Sequence, residues 1–230
     1  MTTPTILRAL AIIATVALPA DAAAQAKTLA LESTVGIHLH NVVAEAATVQ
    51  GRKGLRVMAT REAAGDVNAE LLVWIDGVEF SNGVIEAEVA GTPAPGAGAG
   101  ARGFVGIAFR LQPDNRTYDA FYLRPTNGRA EDQERRNHAT QYISHPDWTW
   151  SRLRQETPSR YESYVDLVPD TWTKIRIEVR GAQARLFVHD QPQPALIVND
   201  VKSGAGGKGA VALWIGPGTV AHFRNLTVSP

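Results

Sequence analysis

The chain has 230 residues, no cysteine, and 23 basic side chains against 23 acidic ones, so its formal net charge at pH 7 is zero. That length suffices for one domain with a sizeable core. The balanced charge, with arginines scattered along the chain, speaks against a nucleic-acid partner or an anionic membrane surface, and without disulfides stability rests on the core alone.

Arg8 and the apolar run Ala9 to Ala20 open the chain, followed by small residues at A-x-A spacing in "DAAAQA", Asp21 to Ala26. The run is too short to span a bilayer. It predicts a secretory signal over residues 1–24, cleaved after Ala24 or Ala26, ahead of one domain over 25–230. With no cysteine near the cleavage region, a lipoprotein is excluded. The protein is expected to be exported, periplasmic or extracellular, with no membrane insertion once the signal is gone.

Next come period-two patterns. Gly54 to Glu62 alternates Leu55, Val57 and Ala59 with Arg56, Met58 and Thr60. Gly83 to Gly91 sets Ile85, Ala87 and Val89 against Glu86 and Glu88. A Gly/Ala/Pro loop, Gly91 to Gly103, leads into Gly103 to Gln112, where Val105, Ile107, Phe109 and Leu111 oppose Gly106, Ala108 and Arg110. Thr117 to Pro125 follows. A long irregular stretch then runs from Pro125 to Val168 and contains "HATQYISHPDWTWSRLR", His138 to Arg154. Within it, "EDQERRNH" reads as an exposed turn or short helix. Ala139 to His145 alternates, with Gln141, Ile143 and His145 opposite Thr140, Tyr142 and Ser144, until Pro146 breaks it. Thr171 to Gly181 and Ala184 to Asp190 make a hairpin; Gly209 to Gly218 and Val220 to Ser229 close the chain as strands. The prediction is an all-β fold: a two-sheet antiparallel β-sandwich, each sheet with one solvated face, and a long irregular insertion.

"FSNGVIEAEVAG", "GFVGIAFR", "YDAFYLRP" and "KGAVALWIGPGTVAHFRNLTV" resemble the laminin-G-like and concanavalin A-like jelly rolls, and more narrowly the bacterial exported proteins of the 3-keto-disaccharide hydrolase-like domain family. The resemblance implies the jelly-roll fold and a carbohydrate ligand or substrate. One departure is plain. The β-glucanases of the superfamily carry three alternating acidic residues on one strand, whereas this chain has only Glu86 and Glu88. That catalytic machinery is therefore not carried over, and function has to be argued from the site.

Arg110, Tyr122, Arg124 and Trp214 have strand phases that would turn them to one concave face, where guanidinium forks and aromatic rings suit sugar recognition. The His138–Arg154 stretch would act as a lid adding Gln141, Tyr142, His145 and Trp150. His145, with Asp147 two residues on, is the candidate general acid or base. Trp148 and Trp150 equally read as anchors of a packed loop. Among the carboxylates, Glu86, Glu88, Asp119, Asp147, Glu156 and Glu162, no spacing singles out the pair that glycoside cleavage usually needs. Asp119 falls on the face of Phe121 and Leu123, which predicts a buried, hydrogen-bonded carboxylate. No cofactor is expected. His38 and His40 sit at strand spacing without a third metal ligand, no D-x-D-x-D loop suggests calcium, and no G-x-S-x-G elbow suggests acyl transfer. Three readings follow: a glycan-binding sandwich, a glycoside or 3-keto-glycoside hydrolase, and a non-catalytic envelope scaffold.

Overall fold

The computed structural model describes residues 26–230, so the predicted signal over residues 1–24 lies outside the described residues. The chain forms strands β1 (Lys27–Leu29), β2 (Ile37–His40), β3 (Val42–Val49), β4 (Arg52–Ala59), β5 (Leu72–Phe80), β6 (Gly83–Pro93), β7 (Val105–Leu111) and β8 (Tyr118–Leu123). A 3₁₀ turn (Pro125–Asn127), helix α1 (Gln133–Asn137), β9 (Thr140–His145), helix α2 (Trp150–Glu156) and β10 (Glu162–Ser163) follow. The last strands are β11 (Thr173–Arg180), β12 (Gln183–Val188), β13 (Leu196–Val198), β14 (Gly209–Ile215) and β15 (Thr219–Ser229).

Two antiparallel sheets result. One is eight-stranded, in the order β13-β12-β11-β6-β15-β4-β3 with β1 also on β15; the other is seven-stranded, β10-β9-β8-β7-β14-β5-β2. The alternation read from the sequence sets the first sheet. Ile85 and Ala87 of β6 lie beside Ile177 and Ile175 of β11 on the inner face, while Glu86 and Glu88 lie beside Arg176 and Lys174 on the outer one. Lys174 and Arg52 give these glutamates ion pairs at 3.8 Å and 2.9 Å, an ordinary charged surface.

Between the sheets, Val105, Ile107, Phe109, Phe121 and Leu213 of the seven-stranded sheet are fully buried. Each such side chain contributes roughly 1.5–3 kcal/mol by leaving water. The sheets approach closely at Gly91, where a Cβ would lie 2.9 Å from Cγ1 of Val105. Asp119 points into this core and accepts a hydrogen bond from the Tyr142 hydroxyl at 2.5 Å, the buried role predicted for it.

Two expectations about this sheet need correction. Its outer face is not solvated: every residue of β7 and β8 is buried on both sides. And the Pro125–Val168 stretch is not an irregular lid. Its Thr140–His145 segment is an in-register strand paired with all of β8, and β10 extends the sheet beyond it. The alternating residues were the strand signal; Pro146 opens the turn that ends the strand, and the flanking charges belong to the short helices on either side.

Candidate functional site

The outer face of the seven-stranded sheet has a floor of small residues. Ala108, Ala120 and Ala212 stand in one cross-strand row, and Gly106 stands in another with Tyr122 and Trp214. A Cβ on Gly106 would sit 2.6 Å from the Cβ of Tyr122, so only glycine lets this tyrosine lie down. On the floor, Tyr122 and Trp214 stack at 4.6 Å, and Phe104 meets Tyr122 edge-on at 6.0 Å.

Two polar networks run from these rings. In the first, the Trp214 indole donates to the Tyr118 hydroxyl at 3.0 Å, and Tyr118 donates to the carboxylate of Glu70. The other Glu70 oxygen lies 2.8 Å from Nδ1 of His145, whose ring stacks on Tyr118 at 5.1 Å. Burial first, and then the negative charge of Glu70, hold the Tyr118 phenol protonated far above its ordinary range. Nδ1 faces a carboxylate and a hydroxyl and is the ring nitrogen placed to donate to Glu70, while Nε2 makes no hydrogen bond among the described residues. The His145 and Glu70 side chains are 21% and 13% exposed, so this network reaches water.

In the second network Arg124, 5% exposed, is spent internally. It donates to the Tyr122 hydroxyl at 2.8 Å, to Gln141 Oε1 and Glu162 Oε1 at 3.0 Å each, and to the His138 carbonyl at 3.0 Å. Arg154, from α2, grips both oxygens of Glu162. His138 Nδ1 lies 3.0 Å from Glu162 Oε2, outside hydrogen-bond geometry. Burial alone would raise the Glu162 pKa; Arg154, Arg124 and His138 overcome it and hold the carboxyl below its ordinary value.

The structure therefore brings Tyr122, Arg124, Gln141, His145 and Trp214 to one face and sends three predicted partners elsewhere. Arg110 is the first correction. The register of β7 against β14 shifts between Ala210 and Ala212, and Arg110 sits in that bulge at φ +56°. The bulge turns its side chain off the outer face to an end of the sandwich. There, 1% exposed, it donates to the carbonyls of Ser81, Gly181 and Gly204 and to the Ser203 hydroxyl. Every guanidinium N–H is used, and the residue is a clamp between loops. Tyr142 is the second. It is one strand phase away from Gln141, so it enters the inter-sheet core, where Asp119 and the backbone N–H of Lys202 hold its hydroxyl. Trp150 is the third: it opens α2, 47% exposed, with the Arg154 guanidinium 4.9 Å from its ring.

Asp147 is exposed, and the carboxylate beside His145 is Glu70 instead. Glu156 pairs with Arg152 at 2.7 Å on α2. Glu70 gave no sequence signal: it precedes β5 and reaches the face from the Thr60–Leu71 connection, 75 positions from its partner. His38 stacks on Trp74 at 3.9 Å. Among the described residues no group of three or more His, Cys, Asp or Glu side chains is placed to hold a metal ion.

No family model matches this chain, and no curated protein matches it. Solved structures do. The carbohydrate binding module CBM66 from Bacillus subtilis is 10% identical, with 84% of this chain and 98% of that chain covered at a TM-score of 0.54. A protein of unknown function with a galectin-like fold, also from Bacillus subtilis, is 12% identical, with 88% and 94% covered at 0.55. These similarities show the fold, a galectin-like jelly-roll β-sandwich.

Proposed function

We propose that this is an exported carbohydrate-recognising β-sandwich that binds a glycan on the outer face of its seven-stranded sheet. The observation that carries it is the open lip formed by Glu70 and His145 beside Tyr118 and the Tyr122–Trp214 stack. A carboxylate and an imidazole fixed side by side at the surface accept and donate to neighbouring sugar hydroxyls, and the buried rings beneath hold them in place. The name of the structural neighbour that is a carbohydrate binding module supports the reading, as does the signal-like segment before Ala26. Titration of a panel of oligosaccharides, followed by tryptophan fluorescence, tests it. Glu70→Gln and His145→Ala each weaken binding by about tenfold, the loss of roughly 1.4 kcal/mol expected when a central contact is truncated. Unchanged affinity in both variants removes the lip from the site.

A second reading, hydrolysis of 3-keto-glycosides, is favoured by the Glu70–His145 pair, whose Nε2 has no hydrogen-bond partner among the described residues. A carboxylate-oriented imidazole is placed to take the proton from the carbon beside the ketone while the electron pair expels the glycosidic oxygen, to return that proton to the leaving oxygen, and then to help a water molecule add across the unsaturated ketone that remains, which completes the hydrolysis. Mass spectrometry of the mature protein with plain and 3-keto glycosides decides it. Sugar release that falls about 100-fold or more in His145→Ala establishes the enzyme; saturable binding without release leaves the binding reading.

A further inference from the structure

The Glu70–His145 lip spends its donors inward. The Trp214 indole can only donate, so at 3.0 Å the Tyr118 oxygen accepts there, and its own proton goes to Glu70 Oε2. His145 Nδ1 lies 2.8 Å from Glu70 Oε1 and 3.1 Å from the Tyr118 hydroxyl. Asn41 Nδ2 donates to the Glu70 backbone carbonyl at 3.0 Å, so this residue is held by its main chain as well as by its carboxylate. Trp214 and Tyr118 are buried and form a frame behind the two partly exposed groups.

What remains for a ligand is a set of acceptors. A carboxylate has about four lone-pair sites, and Tyr118 and His145 occupy one on each oxygen. With Nδ1 donating, a neutral imidazole presents Nε2 as an acceptor too. The lip also lacks a permanent cation. Glu162, on the same face, is gripped by Arg124 and Arg154. Among the described residues no lysine or arginine pairs with Glu70, whose ion-pair partner is His145. A carboxylate partly withdrawn from water attracts a cation more strongly than one in bulk solvent, and a hydrogen bond to a charged group is about twice as strong as a neutral one. Acceptors around an unpaired negative charge therefore favour a ligand group that is positive and rich in N–H bonds.

We propose that the lip is an ammonium subsite and that the glycan this protein takes is an amino sugar with its amino group free. Glu70 accepts from the ammonium, and Nε2 of His145 accepts from a neighbouring hydroxyl. An N-acetyl group in the same place brings no charge and a single N–H, so the acetylated sugar is the weaker ligand. The inference rests on the glycan-binding reading and gives it a ligand class.

Calorimetry at neutral pH tests the subsite with short oligomers of chitosan, chitin and cellulose of equal length, which differ only in an amino, acetamido or hydroxyl group. The chitosan oligomer binds about tenfold more tightly than the other two, and Glu70→Gln brings the three together. Glu70→Asp, which keeps the charge on a shorter stem, retains part of the preference, and Glu86→Gln, on the other sheet, retains all of it. Added salt shrinks the preference and leaves the affinity for the cellulose oligomer unchanged. Melting temperatures within a few degrees of wild type show that the variants fold; if Glu70→Gln does not, the wild-type comparison and its salt dependence decide. Equal binding of the three oligomers by the wild type overturns the ammonium subsite and leaves glycan binding standing. A preference that survives in folded Glu70→Gln also overturns it. Binding of none of the three overturns the subsite, while the wider oligosaccharide panel continues to judge the broader reading.

Discussion

Arg110, in β7, and Arg124, just after β8, are both buried arginines, and both are held by acceptors, but of different kinds. Arg110 holds neutral carbonyls and a hydroxyl, whereas Arg124 holds a carboxylate that Arg154 and His138 also face. Removing one partner of a buried ion pair leaves an uncompensated charge and costs about 3–5 kcal/mol. Glu162→Gln is therefore expected to lower stability by that order in urea unfolding, with Arg124 and Arg154 left facing each other. Arg110→Met costs about 1–3 kcal/mol for each buried carbonyl left without a donor, and it leaves glycan affinity unchanged in any variant that still folds. A drop in affinity with normal stability in Arg110→Met would return that residue to the binding face. At this scale the sequence showed residue type and phase. It could not show that these two arginines face different neighbours, because a one-residue bulge decides the matter for Arg110.

Among the elements, β6, β7, β14 and β15 lie inside their sheets, while β2, β3, β10 and β13 are edges. Slow amide hydrogen exchange is expected along the interior four, and fast exchange along β3, whose outer backbone has no neighbouring strand. Protection of β3 equal to that of β15 would mean the edge is covered in solution. The interior strands are the ones legible in the sequence, because alternation is clean where one face meets the core. β3 carries no such signal: "VVAEAATV" is half-exposed on both faces, so its hydrophobicity does not alternate. For β9 the sequence shows the phase but not the place. Its period-two pattern reports an extended chain, and only the register with β8 shows that it completes the sheet.

For the whole molecule, acid is the expected weakness. Burial lowers the pKa of His138 and His222 below the ordinary histidine value. Each therefore contributes stability that is present above about pH 6.5 and lost as pH falls through its folded value. Glu162, held below its ordinary value, contributes stability present above about pH 4.3 and lost as pH falls through its own lower folded value. The melting temperature should be flat above about pH 7, decline first through the histidine range and then again in acid. Replacing His138 and His222 by glutamine should flatten the first stage, a result that circular dichroism at a series of pH values reads directly. What the sequence determined by itself was local: extended chain, alternation of apolar and polar residues, and hence a sandwich whose inner faces could be named before any contact was known. The tertiary structure alone decided which outward residues meet. Glu70 and His145, and Arg124 and Glu162, lie far apart in the chain, and such pairs depend on sheet order and loop paths, which no period of two encodes.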